Sequence, residues 1–301
     1  MDAYRPTQPL LDAAWARIAH RVDNYPVRLA ELSRTFFESV GPTYFCQRDA
    51  APILHLPAWL SRPVPAHALL AIVEGTALAY AYVRVQDNVI DEPDTRGNAP
   101  LMLAANAWMW DARELWAMQG DTVFSRLARE SWLIFSDETE SERRQLSQRV
   151  YGAAAFVAHA RKCALAEIPL YAAMAAARDW SGVEHVAPLV HALALSYGRF
   201  NDVTGFDRDL QAGANTYLIS RARTLAGSHA NDRQAVERVV RTSELVEEFL
   251  GAAILDLERA VPHAQALGMP QFTNFVNDRS RRLVEMRDGY ALARLAAALA
   301  A

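Results

Sequence analysis

The sequence predicts an all-α protein, a single-domain helical bundle, on three observations. Long apolar stretches with helical periodicity alternate with short polar breaks between residues 64 and 300. Ala, Leu, Arg and Glu dominate these stretches, whereas alternating β-branched runs are missing. No internal repeat and no low-complexity linker divides the chain. These patterns indicate roughly nine or ten helices in that range, packed around one core.

Composition and charge exclude several classes of protein. The 301 residues are 51% hydrophobic and 22% charged, which is typical of a globular chain and not of a disordered one. A net charge of −4 offers no positive field to nucleic acid or an anionic membrane. Cys46 and Cys163 form no disulfide or zinc pattern, and no secretory signal or membrane-spanning run is recognised. We therefore expect a cytoplasmic protein with no nucleic-acid partner and no stable membrane span.

Each predicted region has its own sequence signal. Residues 1–60 are expected to form an N-terminal helical cap beside the Pro-rich segment LPAWLSRPVP, and residues 61–301 to form the main bundle. The stretch 68–91 is apolar almost all round until its last two turns, where carboxylates begin. The stretch 185–210 changes in the same way from Arg199 onward. Two buried helices are therefore predicted to end in acidic clusters.

Both acidic clusters have the spacing of metal ligands. Asp87 and Asp91 lie four residues apart and therefore share one helix face. Asn201, Gly205 and Asp209 recur at the same interval. A divalent cation would remove the repulsion between such carboxylates, and magnesium prefers sparse oxygen ligands. One cluster alone is more often a solvated helix face, but two clusters at the ends of apolar helices favour a magnesium site.

Residues 60–220 resemble the trans-isoprenyl diphosphate synthases and their relatives, the class I terpene synthases. Asp87-Asn88-Val89-Ile90-Asp91 is similar to the first metal motif, DDxxD, and an acidic turn with Arg96-Gly97 follows it. Residues 201–209, NDVTGFDRD, are similar to the second metal motif of terpene synthases. That motif has Asn, then Ser or Thr, then Glu or Asp at intervals of four. Gly205 lacks the hydroxyl, and we expect serine there to preserve or modestly improve magnesium affinity.

The resemblance implies the class I isoprenoid synthase fold, with residues 61–301 as the catalytic part. Chain-elongating members hold isopentenyl diphosphate with a Gly-Lys…Arg segment and with the second arginine of an Arg-Arg-Gly turn. Here these are reduced to Ser61-Arg62-Pro63 and to the single Arg96. The sequence therefore favours a terpene synthase, a lyase that ionises farnesyl or geranylgeranyl diphosphate and cyclises the carbocation. The alternatives are a prenyl-elongating or condensing synthase and a catalytically silent partner subunit of a prenyl synthase.

The resemblance also implies the residues of the site. The catalytic residues, which would bind three magnesium ions with manganese as a substitute, are Asp87, Asp91, Asn201 and Asp209. The candidates for binding the diphosphate are basic side chains, namely Arg96, Arg161, Lys162, Arg199 and Arg281. Tyr80 and Phe156 are expected to line the apolar cavity, since Tyr80 lies two turns before Asp87. The run Trp108-Met109-Trp110 is typical of helix packing or of a homodimer surface.

Overall fold

The computed structural model describes residues 7–44, 51–91, 98–117, 121–145 and 151–300. All regular secondary structure in these ranges is helical, which confirms the all-α prediction. The α-helices are α1 (Gln8–Asp23), α2 (Val27–Tyr44), α3 (Leu56–Trp59), α4 (Ala66–Asp91), α5 (Asn98–Ala117), α6 (Thr122–Gln145), α7 (Ala153–His159), α8 (Ile168–Ala177), α9 (Val186–Thr204), α10 (Phe206–Ala212), α11 (Tyr217–Ala226), α12 (Arg233–Thr242), α13 (Leu245–Ala266) and α14 (Pro270–Ala300). Short 3₁₀ segments cover Ala160–Glu167, Val183–His185 and Gly227–His229.

The two helices that carry the acidic clusters form where the sequence predicts helix. α4 covers the predicted stretch 68–91 and ends at Asp91. The predicted stretch 185–210 is divided, because α9 ends at Thr204 and α10 begins at Phe206. Such short helices explain why the described residues after residue 64 contain eleven α-helices, where the sequence indicated nine or ten.

The chain divides into two compact units, and each is described by itself. The first unit takes its described residues from Met1–Ser131, Ala166–Val183 and Ala266–Phe272. The second takes them from Trp132–Leu165, Glu184–Gln265 and Thr273–Ala301. Three α-helices, α6, α13 and α14, contribute residues to both units, α13 through its last residue, Ala266. The single domain with a cap at residues 1–60 stays a prediction.

α4 is the central helix of the first unit and packs against α1, α5 and α8. Residues 71–79 of α4 are all buried. Gly75 lets α4 approach α5 closely, since a Cβ atom there would lie 3.1 Å from the carbonyl oxygen of Ala112 and 3.1 Å from Nε1 of Trp116. On α5, Trp108 is fully buried and serves packing, whereas Trp110 is 60% exposed.

The apolar length of α4 has a simple structural explanation. Within the described ranges, Ala66–Ile90 is the one segment that is long and apolar enough to cross a membrane. However, 72% of its most apolar window is buried inside the protein. Such burial is typical of a core helix, which satisfies the same length and composition criteria as a membrane span.

A buried carboxylate fixes α1 on α4. Glu74 is 0% exposed. Its Oε1 accepts a hydrogen bond from Nε of Arg21 at 2.8 Å, and its Oε2 lies 2.7 Å from Nε of Arg17 in an ion pair. A buried charge is costly unless it is paired and hydrogen-bonded, so these two guanidinium groups stabilise the carboxylate inside the unit. The first unit therefore compensates its buried charge with its own side chains.

Aromatic rings join three helices of the second unit. The Phe156 ring of α7 stacks on the Tyr217 ring of α11 with a centroid distance of 5.0 Å. Tyr217 in turn lies 5.1 Å from the Phe249 ring of α13. All three rings are buried. Aromatic contacts at these distances stabilise a core beyond the burial of area alone, and this cluster lies beside the second acidic motif.

Candidate active site

The first acidic motif lies at the end of α4 in the first unit. Val85 is buried, whereas residues 86–90, including Asp87, are half-buried. Tyr80, two turns earlier on the helix, is also half-buried. Asp91 is the final residue of α4, and its side chain lies outside the described part of the structure, as does the whole of Arg96. The contributions of Asp91 and Arg96 therefore stay predictions.

The second acidic motif crosses the break between α9 and α10 in the second unit. The Gly205 amide donates to the carbonyl oxygen of Asn201 at 2.8 Å, and the Asp209 amide donates to that of Gly205 at 2.9 Å. These bonds keep the helical i to i−4 pattern, so Asn201 and Asp209 remain on one face despite the break. Asn201 is exposed, and the Asp209 side chain is 16% exposed.

Asp202 has a role that the sequence analysis did not assign to it. Its Oδ2 accepts a hydrogen bond from the Leu218 amide at 2.9 Å, and the Tyr217 amide also stabilises it. The carboxylate thus lies at the positive N-terminus of α11. Burial nevertheless raises the pKa of Asp202 to about 7, helped by repulsion from Asp209 and Glu142. Among the described residues no Lys, Arg or His side chain pairs with it.

Lys162 and Arg281, two of the predicted diphosphate-binding residues of the second unit, pair with carboxylates of the chain. Lys162 lies on the 3₁₀ segment after α7, is 39% exposed, and binds Glu142 of α6 at 2.5 Å. Arg161 is exposed. Arg281 on α14 is 60% exposed and binds Asp278 of the same helix at 2.6 Å. A role of these three cations in diphosphate binding stays a prediction.

Arg199 and Phe156 are placed together by the structure. Nε of Arg199 donates to Oδ2 of Asp256 on α13 at 2.9 Å. Its guanidinium carbon lies 4.9 Å from the centroid of the Phe156 ring. Phe156 is 7% exposed, and Arg199 covers one of its faces. No pattern in the sequence predicted the Arg199–Asp256 pair, since the two residues are 57 positions apart in the chain.

The donors of the second motif fit a hard divalent cation. Asn201 offers an amide oxygen and Asp209 a carboxylate, whose Oδ1 pairs with Nη2 of Arg208 at 2.8 Å. Beside them lies the half-buried carboxylate of Asp202, which has no cationic partner among the described side chains. Magnesium takes such oxygen donors and completes its shell with water or substrate oxygens. Within the described ranges no group of three or more His, Cys, Asp or Glu side chains could hold a metal ion. The magnesium site at this motif therefore stays a prediction.

Arg62 of the first unit replaces the isopentenyl-binding segment expected of chain-elongating synthases. Its side chain is 6% exposed and pairs with the Asp179 carboxylate. It also donates to the Asp179 carbonyl oxygen at 2.9 Å and to the Ser181 carbonyl oxygen at 2.5 Å. Arg62 is thus bound to the turn after α8 and does not present its guanidinium to solvent.

Solved structures show which fold this is. A geranylgeranyl pyrophosphate synthase from Lactobacillus brevis matches with a TM-score of 0.73 at 15% identity, over 94% of this chain and 100% of that chain. A decaprenyl diphosphate synthase from Rhodobacter capsulatus gives 0.77 at 13% identity, over 94% and 98%. A polyprenyl synthase from Caulobacter crescentus, complexed with calcium and isoprenyl diphosphate, gives 0.75 at 12% identity, over 91% and 96%. No family model and no curated protein matches the sequence.

These matches extend the resemblance seen in residues 60–220 to most of the chain. At 12–15% identity they establish the fold and leave the activity to be argued from the site. The sequence-based prediction of an isoprenoid synthase fold is confirmed. The chain has the all-α fold of the trans-isoprenyl diphosphate synthases.

Proposed function

We propose that this protein is a divalent-metal-dependent enzyme that ionises an allylic prenyl diphosphate and transfers the prenyl group to isopentenyl diphosphate. The observation that carries the proposal is the match of fold, over 94% of the chain, to synthases of geranylgeranyl and decaprenyl diphosphates. Acidic motifs at the ends of α4 and α9 support it. This choice makes the enzyme a transferase and puts prenyl elongation ahead of the cyclisation that the sequence favoured.

In the proposed reaction the allylic carbon–oxygen bond breaks and the diphosphate leaves with the electron pair. The double bond of isopentenyl diphosphate then forms a bond to the allylic carbon, and loss of a proton restores a double bond. Magnesium or manganese, when bound, would stabilise the charge that develops on the leaving diphosphate. The residues that would hold the cations are Asp87, Asp91, Asn201 and Asp209.

Other residues of the chain would bind and enclose the substrate. Lys162 is partly exposed and can exchange Glu142 for a diphosphate oxygen. Arg161 and Arg281 are exposed cations that could also contact diphosphate. Tyr80 and Phe156 would exclude water from the reacting carbon, which protects an allylic cation. Each of these roles is an expectation that substitution can test.

Terpene cyclisation is the second candidate, and one observation favours it. Arg62 is buried in its contacts with residues 179 and 181, so the remaining arginine of the isopentenyl-binding segment is not available to a second diphosphate. A cyclase needs a single diphosphate site. Against cyclisation, the Phe156 ring already carries the Arg199 guanidinium on one face, and a resident cation weakens that ring as a stabiliser of a carbocation.

We also propose that the enzyme acts in the cytoplasm and has no nucleic-acid partner. The burial of α4 within the first unit supports a role for that helix in the core. A homodimer is proposed as well, because Trp110 is 60% exposed on α5 and large exposed aromatic side chains are enriched at protein interfaces.

One experiment distinguishes the candidates. The protein is incubated with magnesium and geranyl, farnesyl or geranylgeranyl diphosphate, with and without isopentenyl diphosphate, and the products are read by mass spectrometry. Elongation predicts a longer prenyl diphosphate that forms only when isopentenyl diphosphate is present. A hydrocarbon or alcohol from the allylic substrate alone would establish cyclisation instead. No product in either series would favour the silent partner subunit.

A further inference from the structure

Arg199 belongs to a buried ionic cluster next to the second acidic motif. Asp256 on α13 is 1% exposed and receives Nε of Arg199 at 2.9 Å on one oxygen. Nη1 of Arg259 lies 2.9 Å from its other oxygen. The Arg199 side chain is 17% exposed, whereas that of Arg259 is 70% exposed. Arg199 is therefore the cation that reaches Asp256 from inside the unit, and it links α9 to α13.

The rest of the Arg199 guanidinium group is also in contact with the chain. Its central carbon lies 4.9 Å from the centroid of the Phe156 ring and 6.0 Å from that of Phe249. The edge of the Arg199 guanidinium group thus binds a carboxylate, and its face contacts aromatic rings. Binding a diphosphate would require Arg199 to leave Asp256 with Arg259 alone, and a buried carboxylate that loses a partner is costly.

Helix geometry relates this cluster to the metal motif. Asn201 follows Arg199 by two residues, so it lies about 200° further round the helix, and it is exposed. Asp202 follows by three residues, so it lies about 60° from Arg199. Arg199 thus binds α13 and Asp202 binds the N-terminus of α11 from neighbouring faces of α9. These two contacts restrain the rotation of α9 about its axis. They therefore also restrain the direction in which the exposed Asn201 side chain points.

We propose that Arg199 is a positioning residue, which with Asp256 fixes the last turns of α9 so that Asn201 and Asp209 can bind metal together with diphosphate. This inference rests on the proposed function and replaces the sequence-based expectation that Arg199 binds diphosphate directly. A well-packed apolar pair could hold α9 and α13 together as firmly as a buried ion pair does. The ion pair instead selects one arrangement, because only one register satisfies both charges.

The test uses the full-length protein and inorganic diphosphate as the probe. Free Mn²⁺ is measured by electron paramagnetic resonance in the presence of diphosphate, and diphosphate affinity is measured by calorimetry at saturating Mn²⁺. The central variant is the double substitution Arg199→Met with Asp256→Leu, which removes both buried charges at once. Arg199→Lys tests rescue by a conserved charge. Arg259→Met is the matched control, because it removes a cation from Asp256 without touching α9.

We expect the double variant to fold, as shown by its circular dichroism, and to bind Mn²⁺ about tenfold more weakly, an effect of the size seen when residues behind metal ligands are removed. The diphosphate affinity of the double variant at saturating Mn²⁺ should stay within about twofold of the wild type. Arg199→Lys should recover part of the Mn²⁺ affinity. Arg259→Met should match the wild type in both affinities. A tenfold loss of diphosphate affinity with unchanged metal affinity would show that Arg199 is a direct ligand and overturn the inference. Unchanged binding of both in the double variant would overturn it as well. A wild-type protein that binds neither Mn²⁺ nor diphosphate would instead reject the proposed function itself.

Discussion

Two carboxylates, buried Glu74 in the first unit and half-buried Asp202 in the second, are stabilised in different ways. Glu74 of the first unit is 0% exposed and is bound by Arg17 and Arg21. Among the described residues, the Asp202 carboxylate of the second unit accepts hydrogen bonds from backbone amides and pairs with no cation, and its pKa is raised to about 7. The first carboxylate has its countercharge in the chain and serves the fold. The second has no cationic partner among the described side chains, whereas Asp209 of the same motif pairs with Arg208 at 2.8 Å. A divalent cation at this motif would therefore compete with Arg208 for the Asp209 carboxylate.

The largest expected effect is a loss of turnover when a proposed metal ligand is replaced, compared with replacement of a nearby acidic residue that is not a ligand. Asp87→Ala in the first motif and Asp209→Ala in the second should each lower turnover by about 10²- to 10³-fold, since each removes charge stabilisation of the leaving diphosphate. The helical circular-dichroism signal should persist. Asp207→Ala is the matched control on α10, because its side chain is 75% exposed and binds Arg241. Turnover that equals the control in both ligand variants would reject the metal assignment.

The next effect is on stability and concerns Glu74. Glu74→Gln removes the charge that holds Arg17 and Arg21 on α4, and we expect it to lower the free energy of unfolding by about 2 kcal/mol. This value is below that of a fully buried pair because the two arginines are 42% and 28% exposed. Urea denaturation measures it. Glu130→Gln, in a pair with Arg126 that is exposed on both sides, is the control and should change stability by less than about 0.5 kcal/mol. Equal effects in the two variants would remove the distinction between buried and exposed charge.

Asp202→Asn should raise the stability of the folded protein, in contrast to Glu74→Gln, and the size of this effect should depend on pH. The folded-state pKa of about 7 lies above the ordinary value of 3.8, so the folded protein retains a proton that the unfolded chain loses between these values. The stability contributed by this proton is complete below the ordinary pKa and is lost as the pH rises through 7. The amide variant keeps an acceptor for Leu218 and never ionises. In chelator, its melting temperature should exceed that of the wild type by about 3 °C at pH 8 and by less at pH 5. If the difference in melting temperature between the variant and the wild type is the same at both pH values, the raised pKa of Asp202 is contradicted.

The smallest effect concerns Gly205 and revises an expectation from the sequence. A Cβ atom there would lie 2.9 Å from the carbonyl oxygen of Asn201, 2.8 Å from Nη2 of Arg208 and 2.9 Å from Oδ2 of Asp209. We now expect Gly205→Ser to raise the magnesium concentration for half-maximal activity by about threefold, because roughly 0.6 kcal/mol is enough to move these groups. A magnesium titration of activity checks it. Improved magnesium affinity would restore the ligand role that the sequence suggested for a hydroxyl at this position.

What the sequence could predict was local. The helical period of α4 and the change to acidic residues near Asp87 are properties of one segment, so the helix and its polar end followed from the pattern. The position of Asn201 and Asp209 on one face also followed from spacing, although Gly205 divides the helix. The Arg199–Asp256 pair did not follow, because it joins two helices and depends on tertiary packing.

The contacts of Asp202 show the same limit. The sequence placed it one position away from the ligand stripe, but its partner amides belong to α11, and only the fold brings that helix N-terminus to α9. The absence of a cationic partner for Asp202 among the described side chains is likewise a property of the packed structure, as is the burial that raises its pKa. Residue types and their spacing can be seen in a sequence. Whether a carboxylate finds a cationic partner depends instead on which helices pack together.

The most direct test of the account is the binding of Mn²⁺ together with inorganic diphosphate, measured by calorimetry on the wild-type protein, Asp209→Ala and Asp207→Ala. We expect the wild type and Asp207→Ala to bind the pair with equal affinity and Asp209→Ala to bind it at least about tenfold more weakly, as loss of a metal ligand requires. If the three proteins bind with the same affinity, or if the wild type does not bind, the second acidic motif is not a metal–diphosphate site.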